Sequence, residues 1–459
     1  MGNCGFLTSA EMEILVVGGG IGGCVAALAL KQKGFQPTVF DQFNPQDKPL
    51  TTTGAPVDMT FGQLGGGFSL YANGLRVFEG LGLLDKVRAL GCNTATHCCF
   101  ATMDGTPYAT FGTTHPSVPE TVRISCQLLR SRLLDLLLRE LHAAGIPLQL
   151  KKTLVAINED DSNVTARFAD GSEATGSLLV GADGVHSITR RLLFGSDLRA
   201  IYVDHIGHLG VVDLNPTEIE AWSGYPQLNF FYNTLKKTNT SWFDVTPAAD
   251  ATSRRRQWTF YVTEMGKATQ AAKTESGLWR PSSNIPEDAS AMADLVRSWG
   301  VPPFVVGMLR RAMRVTPISI YEAPLVPAYH RGRIVLLGDA AHGMRPDLGQ
   351  GANSALEDAG VLAELLAAWP HSVESVLQTY TEMRMPRCTA FMQGARALNS
   401  KMQSPNAVVE VLNRLVMMFL AFLAHWGLNL IIQNEWAYDY KDEVKRKLAK
   451  TTSGIEQSN

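Results

Sequence analysis

Several features that would define this chain's class are scarce or missing from its 459 residues. Its seven cysteines form no C-x-x-C pair, which argues against a disulfide framework and a zinc site, and we expect no metal. Charged residues make up only 18% of the chain and the net charge is −2, so no nucleic-acid partner is expected. The N-terminal stretch contains Glu11 and Glu13 and lacks the apolar core of a secretory signal. We therefore expect a cytoplasmic protein.

A first glycine-rich segment follows the apolar residues 14–17 and precedes an apolar helical stretch. In its G-x-G-x-x-G pattern, Gly18 permits a tight turn, Gly20 lets the backbone approach a pyrophosphate, and Gly23 lets the helix pack on the strand. A second strand ends in Asp41, which lies 18 residues after Gly23, where a carboxylate can accept hydrogen bonds from ribose hydroxyls. The unit predicts an adenine-dinucleotide site but does not distinguish NAD from FAD.

A later segment distinguishes the two cofactors. Gly338 and Asp339 follow another apolar strand, and Pro346 and residues 349–353 precede a helix. An aspartate at a strand end can bind a ribityl chain, and backbone N–H groups at a helix start can hold the negative side of a reduced flavin. A simple NAD site has no use for this arrangement, so the segment favours FAD.

These residues resemble the third signature of the class A FAD-dependent monooxygenases, which include salicylate hydroxylase-like enzymes and secondary-metabolite hydroxylases and epoxidases. That signature is Gly-Asp-Ala-Ala-His, then Pro, then Gly-Gln-Gly-x-Asn, and residues 338–353 contain all of it. The resemblance implies that Asp339 contacts the ribityl chain and that the backbone of residues 349–352 lies beside the isoalloxazine. It also implies that NAD(P)H reduces FAD and that a flavin hydroperoxide delivers one oxygen atom of dioxygen to the substrate.

Further segments fit the same family. Residues 183–190 match its Asp-Gly signature, which by the resemblance serves FAD and the transient nicotinamide cofactor. Arg130 opens an amphipathic helix where the family has an arginine near the flavin or its phosphates; a solvated helix charge is the alternative. The glycine run 65–67 matches the family's segment that passes over the adenosine and flavin. The expected cofactor-binding residues are Gly18, Gly20, Gly23, Asp41, Gly65, Gly67, Arg130, Asp183, Gly184, Arg190, Gly338, Asp339, Pro346, Gly349, Gly351 and Ala352.

The chain between the second and third signatures has a different character. Residues 201–325 lack glycine signatures and carry alternating aromatic patterns, which indicate an antiparallel sheet. We expect an α/β fold with a discontinuous Rossmann-like FAD-binding domain (1–200 and 326–395) and an antiparallel β-sheet substrate domain (201–325). A helical C-terminal segment with a charged tail (396–459) completes it.

One apolar run near the C-terminus needs a separate explanation. Residues 415–434 carry no formal charge and are long enough to span a bilayer. His425, Gly427 and Asn429 interrupt the run, so we favour a pair of helices that covers the substrate, with a turn between them. An oligomer face and membrane contact are less favoured alternatives, and the latter would make the protein membrane-associated.

Catalytic side chains are harder to find than cofactor-binding ones. Many relatives have a Trp-Arg pair on the strand where this chain has His208-Leu209, so it departs from the family's pattern. Since substrate oxygenation calls for an acid, a base or a hydrogen-bond donor in the pocket, we take His208 and Tyr225 as catalytic candidates. A structural histidine is the alternative for His208.

Several functions remain open at this level. We expect the substrate to be bulky and hydrophobic, such as an aromatic polyketide, an alkaloid or a terpenoid, with a salicylate-like phenol as the alternative. A flavin oxidase or dehydrogenase is also open, because phosphate-binding signatures do not report on dioxygen. A halogenase would show Trp-x-Trp-x-Ile-Pro, which the chain lacks. A non-enzymatic binding module of similar fold, of the kind that escorts prenylated GTPases, would not need Asp339, so the presence of Asp339 argues against this alternative.

Overall fold

The computed structural model describes residues 12–43, 66–250, 256–265, 285–370, 372–401, 403–426 and 436–456. In chain order the strands are β1 Glu13–Val17, β2 Gln36–Phe40, β3 Gly67–Leu70, β4 His97–Thr102, β5 Pro107–Gly112, β6 Cys126–Leu129, β7 Leu148–Gln149, β8 Leu154–Glu159, β9 Val164–Phe168, β10 Glu173–Gly176, β11 Leu178–Gly181, β12 Ile201–Leu214, β13 Leu228–Asn233, β14 Thr238–Asp244, β15 Arg256–Met265, β16 Arg314–Glu322, β17 His330–Arg331 and β18 Ile334–Leu336. The helices are α1 Ile21–Gln32, α2 Ala72–Gly80, α3 Leu84–Ala89, α4 Glu120–Arg123, α5 Arg130–Ala143, α6 Ile188–Phe194, α7 Pro216–Ala221, α8 Ile285–Ser298, α9 Pro303–Arg310, α10 Asp339–His342, α11 Gly351–Ala368, α12 Val373–Lys401, α13 Ala407–His425 and α14 Tyr440–Glu456.

A six-stranded sheet carries the glycine signatures. Its order is β17–β18–β11–β1–β2–β7, and every neighbouring pair is parallel except β17–β18. Strand β1 reads Glu-Ile-Leu-Val-Val and buries all but its first residue, as a parallel strand covered on both faces should. Strands β1, β2, β7 and β11 of this sheet lie before residue 182, whereas β18, which pairs with β11, lies after residue 325. The Rossmann-like part is therefore discontinuous in sequence, as predicted.

The second large sheet has seven strands, in the order β16–β12–β15–β14–β13–β4–β5. It is antiparallel except that β4 runs parallel to β13. Because β4 and β5 come from residues 97–112, this sheet also uses chain that was predicted for the FAD-binding domain. The α/β class and the helical C-terminal region are confirmed, while the domain boundaries stay a prediction.

The two faces of the seven-stranded sheet have different surroundings. One face packs against α8 and α9 around buried tryptophans, Trp222, Trp242 and Trp258. The opposite face presents Phe230 and Tyr261, among other side chains, to a cavity. Since side chains alternate along a strand, neighbouring residues of each strand serve these two different purposes.

A buried ion network joins the third signature to the C-terminal helices. Arg384 on α12 donates to Asp358 Oδ1 and to Glu357 Oε2, both at 2.6 Å. His342 Nε2 lies 2.6 Å from Asp358 Oδ2, which also accepts from the Gly338 N–H at 2.9 Å. The four ionisable side chains have no solvent exposure. The network therefore fixes α10, which begins at Asp339, against α11 and α12.

The described part of the apolar run 415–434 reaches Trp426. It belongs to α13, which covers one end of the cavity with Val416, Met417 and Leu420. Other apolar side chains of α13 are exposed, including Phe419 and Trp426, so packing against the body explains only part of the run. The second helix of the predicted pair falls on residues 427–435, outside the described residues.

Candidate active site

In the first glycine turn, two of the glycines pack so closely on backbone atoms that no side chain would fit, while the third has free space beside it. A Cβ on Gly18, where φ is +113°, would lie 2.3 Å from the Ala182 carbonyl oxygen, and one on Gly23 would lie 1.9 Å from the Gly18 carbonyl oxygen. A Cβ on Gly20 would meet nothing within 4 Å. Gly20 also caps the start of α1, so its open side faces the N–H groups that bind pyrophosphate in such turns.

Asp41 sits against this turn. Its Oδ2 accepts from the Gly19 N–H at 2.6 Å and its Oδ1 from the Phe43 N–H at 2.8 Å. Burial raises the pKa of the Asp41 carboxyl, and the two N–H donors oppose that rise. Each oxygen keeps a lone pair, so the carboxylate can still accept from ribose hydroxyls.

Asp339 and Arg130 bring the first and third signatures together. Gly338 turns the chain with φ +61°, and Asp339 begins α10 with its side chain exposed to the cavity. Burial lowers the pKa of Arg130, while the charges of Asp339, Cys24, Tyr261 and Asp41 oppose that change. The Arg130 guanidinium thus lies within electrostatic reach of both predicted acids.

The loop before α11 and the first turn of that helix line the same cavity with Pro346, Gly349, Gly351 and Ala352. Gly349 has φ +63°, a left-handed conformation that glycine adopts without strain. Asn353 ties this loop to β3, because its Nδ2 donates to the carbonyls of Ser69 (3.0 Å) and Gly349 (2.9 Å). The flavin-facing backbone predicted for residues 349–352 is therefore held in a defined position.

Residues 183–190 hold α6 and α10 in place through hydrogen bonds within the protein. The Asp183 carboxylate accepts from the N–H groups of Ile188 (2.8 Å) and Thr189 (2.9 Å), and so caps α6. Arg190 is fully buried and donates to the carbonyls of Val185 (2.6 Å) and Ala340 (2.9 Å), which joins α6 to α10. Gly184 has φ +76° and an open side. Cofactor contact by these three residues stays a prediction, while their geometry supports a positioning role.

The glycine run before β3 is partly described. Gly65 lies outside the described residues. Gly67 packs closely on β15: its N–H donates to Thr259 Oγ1 at 3.0 Å, and its carbonyl accepts from the Tyr261 hydroxyl at 2.5 Å. A Cβ on Gly67 would lie 2.6 Å from Thr259 Cγ2, so the contact itself requires glycine.

A cavity of about 640 Å³ extends from Asp339 to α13, which is within the usual size range of small-molecule sites. Its walls are mainly apolar and aromatic. Phe100 and Phe230 stack at 5.2 Å between ring centroids, and Tyr71 stacks on Trp436 at 4.2 Å. The aromatic and histidine side chains that line it are Phe68, Tyr71, Phe100, Phe111, His205, Phe230, Tyr232, Phe243, Tyr261 and Trp436.

Neither predicted catalytic residue lines this cavity. His208 is on the opposite face of β12, where the charge of Asp288 on α8 acts on it and burial lowers its pKa. The Tyr225 hydroxyl donates to the Gly105 carbonyl at 2.8 Å, and its ring lies edge-on to Trp222. Their catalytic roles stay predictions that the geometry does not favour.

The histidine on the cavity face of β12 is His205, which was not among the predicted catalytic residues. Its Nδ1 bonds the Val203 carbonyl, so Nε2 is the acceptor for the Asn399 amide at 3.1 Å. The same amide lies 3.4 Å from Oδ1 of Asp347, which neighbours Pro346 in the flavin loop. Asn399 is buried on α12 and therefore couples the substrate wall to the cofactor loop.

We expect Asn399→Leu to lose about 1–3 kcal/mol of unfolding free energy, because it removes a buried amide that donates to both His205 and the half-buried Asp347. Urea denaturation measures the loss. Gln378→Leu removes a side-chain bond to Glu382 on the exposed side of the same helix and should change stability by less than about 0.5 kcal/mol. Equal stability of the two variants would contradict the coupling role of Asn399.

A second group of ligand-type side chains does not suggest a metal site. His342, Asp358 and Cys388 gather within 4.8 Å of one another. The charged Arg384 contacts Asp358 directly and would repel a cation. Burial alone would raise the pKa of Asp358, but the charges of His342 and Arg384 lower it to about 2. The group is better explained as part of the ion network.

The described residues fit FAD. The turn at Gly20 is open to a pyrophosphate, the accessible Asp339 carboxylate can accept from a ribityl hydroxyl, and Arg130 can offset phosphate charge near both. Asp339 lines the cavity itself, and the charges of Asp339 and Asp41 both act on Arg130, which links the glycine turn to the cavity.

Comparisons with known proteins agree with this geometry. A profile of the family described as "FAD binding domain" matches residues 11–395. The 3-amino-4-hydroxybenzoate 2-monooxygenase PtmB3 of Streptomyces platensis is 28% identical over 87% of this chain and 91% of its own length. The chloroplastic zeaxanthin epoxidase of Oryza sativa subsp. japonica is 30% identical over 79% of this chain, which spans 50% of that protein.

Solved structures show the same fold at lower identity. Klebsiella pneumoniae HpxO complexed with FAD and uric acid has a TM-score of 0.72 at 23% identity, covering 93% of this chain and 97% of that one. A salicylate hydroxylase substrate complex has a TM-score of 0.71 at 20% identity, covering 96% and 98%. The resemblance to class A monooxygenases is thereby confirmed. The chain belongs to the FAD-binding-domain family of flavin-dependent monooxygenases, with FAD as its cofactor and NAD(P)H as its reductant.

Proposed function

We propose that this monooxygenase hydroxylates or epoxidises a bulky, mostly hydrophobic or aromatic molecule in secondary metabolism, of the polyketide, alkaloid or terpenoid kind. The observation that carries the proposal is the cavity, whose walls are built from aromatic rings such as Phe100, Phe230 and Phe243. Apolar walls with few polar groups favour a ligand of the same character. The relative named for zeaxanthin supports this, whereas the relative named for 3-amino-4-hydroxybenzoate fits the second candidate below.

The chain's own groups have separate tasks in this proposal. Bound FAD would supply the redox chemistry by taking hydride from NAD(P)H and passing electrons to dioxygen. Asp41, Arg130 and Asp339 would hold it at one side of the cavity. The aromatic walls would orient the substrate ring by stacking and keep water away from the reacting atoms. His205, fixed by Asn399, is the polar group best placed on the substrate wall.

A salicylate-like phenol is the second candidate. Lys401 at the end of α12 lines the cavity and could pair with a substrate carboxylate. Arg345 also lines it, but its Nε donates to Glu322 Oε1 at 2.7 Å, and this carboxylate, which Arg396 shares, offsets part of its charge. Among the described lining residues, Lys401 and the partly paired Arg345 are the arginine and lysine side chains in a largely apolar and aromatic cavity, so the apolar substrate is our first choice.

Product mass spectrometry tests both candidates. We expect the purified flavoprotein to oxidise NAD(P)H faster when its substrate is added, and the product of a terpenoid, indole or aromatic polyketide to gain one oxygen from ¹⁸O₂. Turnover of hydroxybenzoates alone would favour the second candidate. Dehydrogenated products without label would instead indicate a flavin oxidase or dehydrogenase.

We propose the cytoplasm as the place of this reaction. Membrane contact through residues 415–434 is compatible with that location, because the cytoplasmic surface of a membrane is accessible to a cytoplasmic protein.

A further inference from the structure

Helix α13 has its polar and apolar sides reversed with respect to an ordinary surface helix. Its polar side chains face the body: Glu410 is buried and bonded to Arg414, whose guanidinium lies 5.8 Å from the Tyr108 ring centroid. Asn413 donates to the Lys401 carbonyl at 2.9 Å. A surface helix normally turns its apolar stripe to the core and its charges to water.

The outward side of α13 is apolar along the whole helix. The side chains on it that are at least 40% exposed are Val408, Val411, Leu412, Leu415, Met418, Phe419, Phe422 and Trp426, while Val416 and Leu420, at 50% and 42%, line the cavity instead. Monomeric soluble proteins rarely display an apolar strip of this length to water. Within the described residues, α13 is also the one helix long and apolar enough to cross a membrane by length and composition.

Its inward contacts argue against crossing. Glu410, Asn413 and Arg414 are all bonded on the body side, so a membrane-spanning position would take them into hydrocarbon. A helix with one polar and one apolar side suits the plane of the membrane surface, where the apolar side enters the lipid.

Charges beside α13 favour lipid over a second copy of the chain. Lys236 and Lys237 are exposed in the turn between β13 and β14. This turn lies beside the start of α13, because the Thr234 carbonyl accepts a hydrogen bond from the N–H of Ser404, which shortly precedes α13. Exposed Lys401 ends α12. Basic groups next to an inserted apolar face suit anionic headgroups. A second copy would bring the same lysines, and the outward side of α13 offers no carboxylate to meet them.

Trp426 marks the other end of the strip. It is 70% exposed at the C-terminal end of α13. Tryptophan prefers the boundary between headgroups and acyl chains, because its ring is largely apolar and its N–H is polar.

We propose that α13 docks on the surface of a lipid bilayer containing anionic lipid, with its outward side in the acyl region. Val416, Met417 and Leu420 of the same helix line the cavity, so docking places the cavity next to the lipid. A lipid-soluble substrate would then enter past α13 without crossing water. This entry route rests on the proposed hydrophobic substrate, whereas docking is measured without substrate, so each can fail independently.

Vesicle co-sedimentation tests the docking. The FAD-loaded protein should sediment with vesicles of phosphatidylcholine and phosphatidylserine in equal parts. The double variant Leu415→Glu/Phe419→Glu, which changes no cavity-lining residue, should lower the partition coefficient at least about tenfold, because two carboxylates then face the acyl region. The double variant Val155→Glu/Leu325→Glu is matched in charge and exposure, at 50% and 57% against 53% and 59%, and should bind like the wild type.

Tryptophan quenching gives a second measurement. Brominated acyl chains should quench part of the wild-type fluorescence, and Trp426→Phe should lose that part while it still sediments with vesicles. Equal sedimentation of the two double variants, or a wild type that stays in the supernatant, would overturn the proposal. So would a dimer in light scattering that Leu415→Glu/Phe419→Glu turns into a monomer without any vesicle binding.

Discussion

Asp339→Ala is expected to bind FAD about 10- to 150-fold more weakly than the wild type. The carboxylate faces the cavity at the start of α10, and hydrogen bonds to a charged group are worth about 1.5–3 kcal/mol. The cavity lies inside the protein, so the carboxylate is partly desolvated there and its pKa is raised, and the charges of His342, Arg130 and Arg190 oppose the rise. The measurement is the FAD content of the purified protein, followed by flavin titration of the apoprotein.

Asn215→Ala is the control, because its side chain is used inside the protein as the N-cap of α7, where Oδ1 accepts from the Glu218 N–H at 2.9 Å. We expect it to lower the stability of the apoprotein by about 0.5–2 kcal/mol with little direct effect on FAD affinity. Asp339→Ala should leave apoprotein stability unchanged. Full FAD content in Asp339→Ala would contradict the assignment of Asp339 to the ribityl chain.

The features that could be predicted from the sequence are those with local causes. Gly23 is dictated by a contact within the turn, where a Cβ would lie 1.9 Å from the Gly18 carbonyl oxygen, whereas Gly18 packs against the distant Ala182 and is identified only by the G-x-G-x-x-G pattern. The strands that flank the glycine signatures are continuous apolar runs, and such runs indicate a parallel sheet covered on both faces. These two facts are enough to predict the Rossmann-like part and the place of Asp41 beside it.

The substrate wall could not be predicted in the same way. Which of His205 and His208 faces the cavity depends on the register of β12, and its pairing with β16 is irregular between Tyr202 and Ile206. A shift of one residue reverses the two faces of a strand. Asn399, the partner of His205, is 194 residues away in sequence, so no local pattern indicates the pair.

The outward side of α13 escaped prediction for a different reason. An apolar run predicts burial, but it does not say whether protein or lipid covers it. Glu410 and Arg414 precede the run, and charged side chains of a surface helix ordinarily face water, yet both turn toward the body. Their direction depends on the packing of α13 beside β5, which is a tertiary contact.

Arg384→Met should be the most damaging single substitution in the described network. Glu357 and Asp358 are fully buried, and removing one partner of such a group costs up to about 3–5 kcal/mol, although Arg387 still pairs with Glu357 and His342 with Asp358. That is a large part of the stability of a typical domain, which is about 5–15 kcal/mol. Chemical denaturation followed by circular dichroism measures the loss. Arg139→Met, which breaks an exposed pair with Asp135, should cost less than about 0.5 kcal/mol.

The pH dependence separates this charge effect from a simple loss of packing. Arginine neighbours lower the pKa of Glu357 against the effect of burial, and His342 and Arg384 lower that of Asp358 to about 2. A carboxyl with a lowered pKa stabilises the fold above its ordinary value of about 4, and this contribution is lost as the pH falls toward the folded value. The stability gap between wild type and Arg384→Met should therefore be full at neutral pH and narrow between about pH 4 and 2. A gap that stays constant over this range would mean that Arg384 acts through its shape, and a gap below about 1 kcal/mol at neutral pH would remove the network from the account of how Asp339 is held in place.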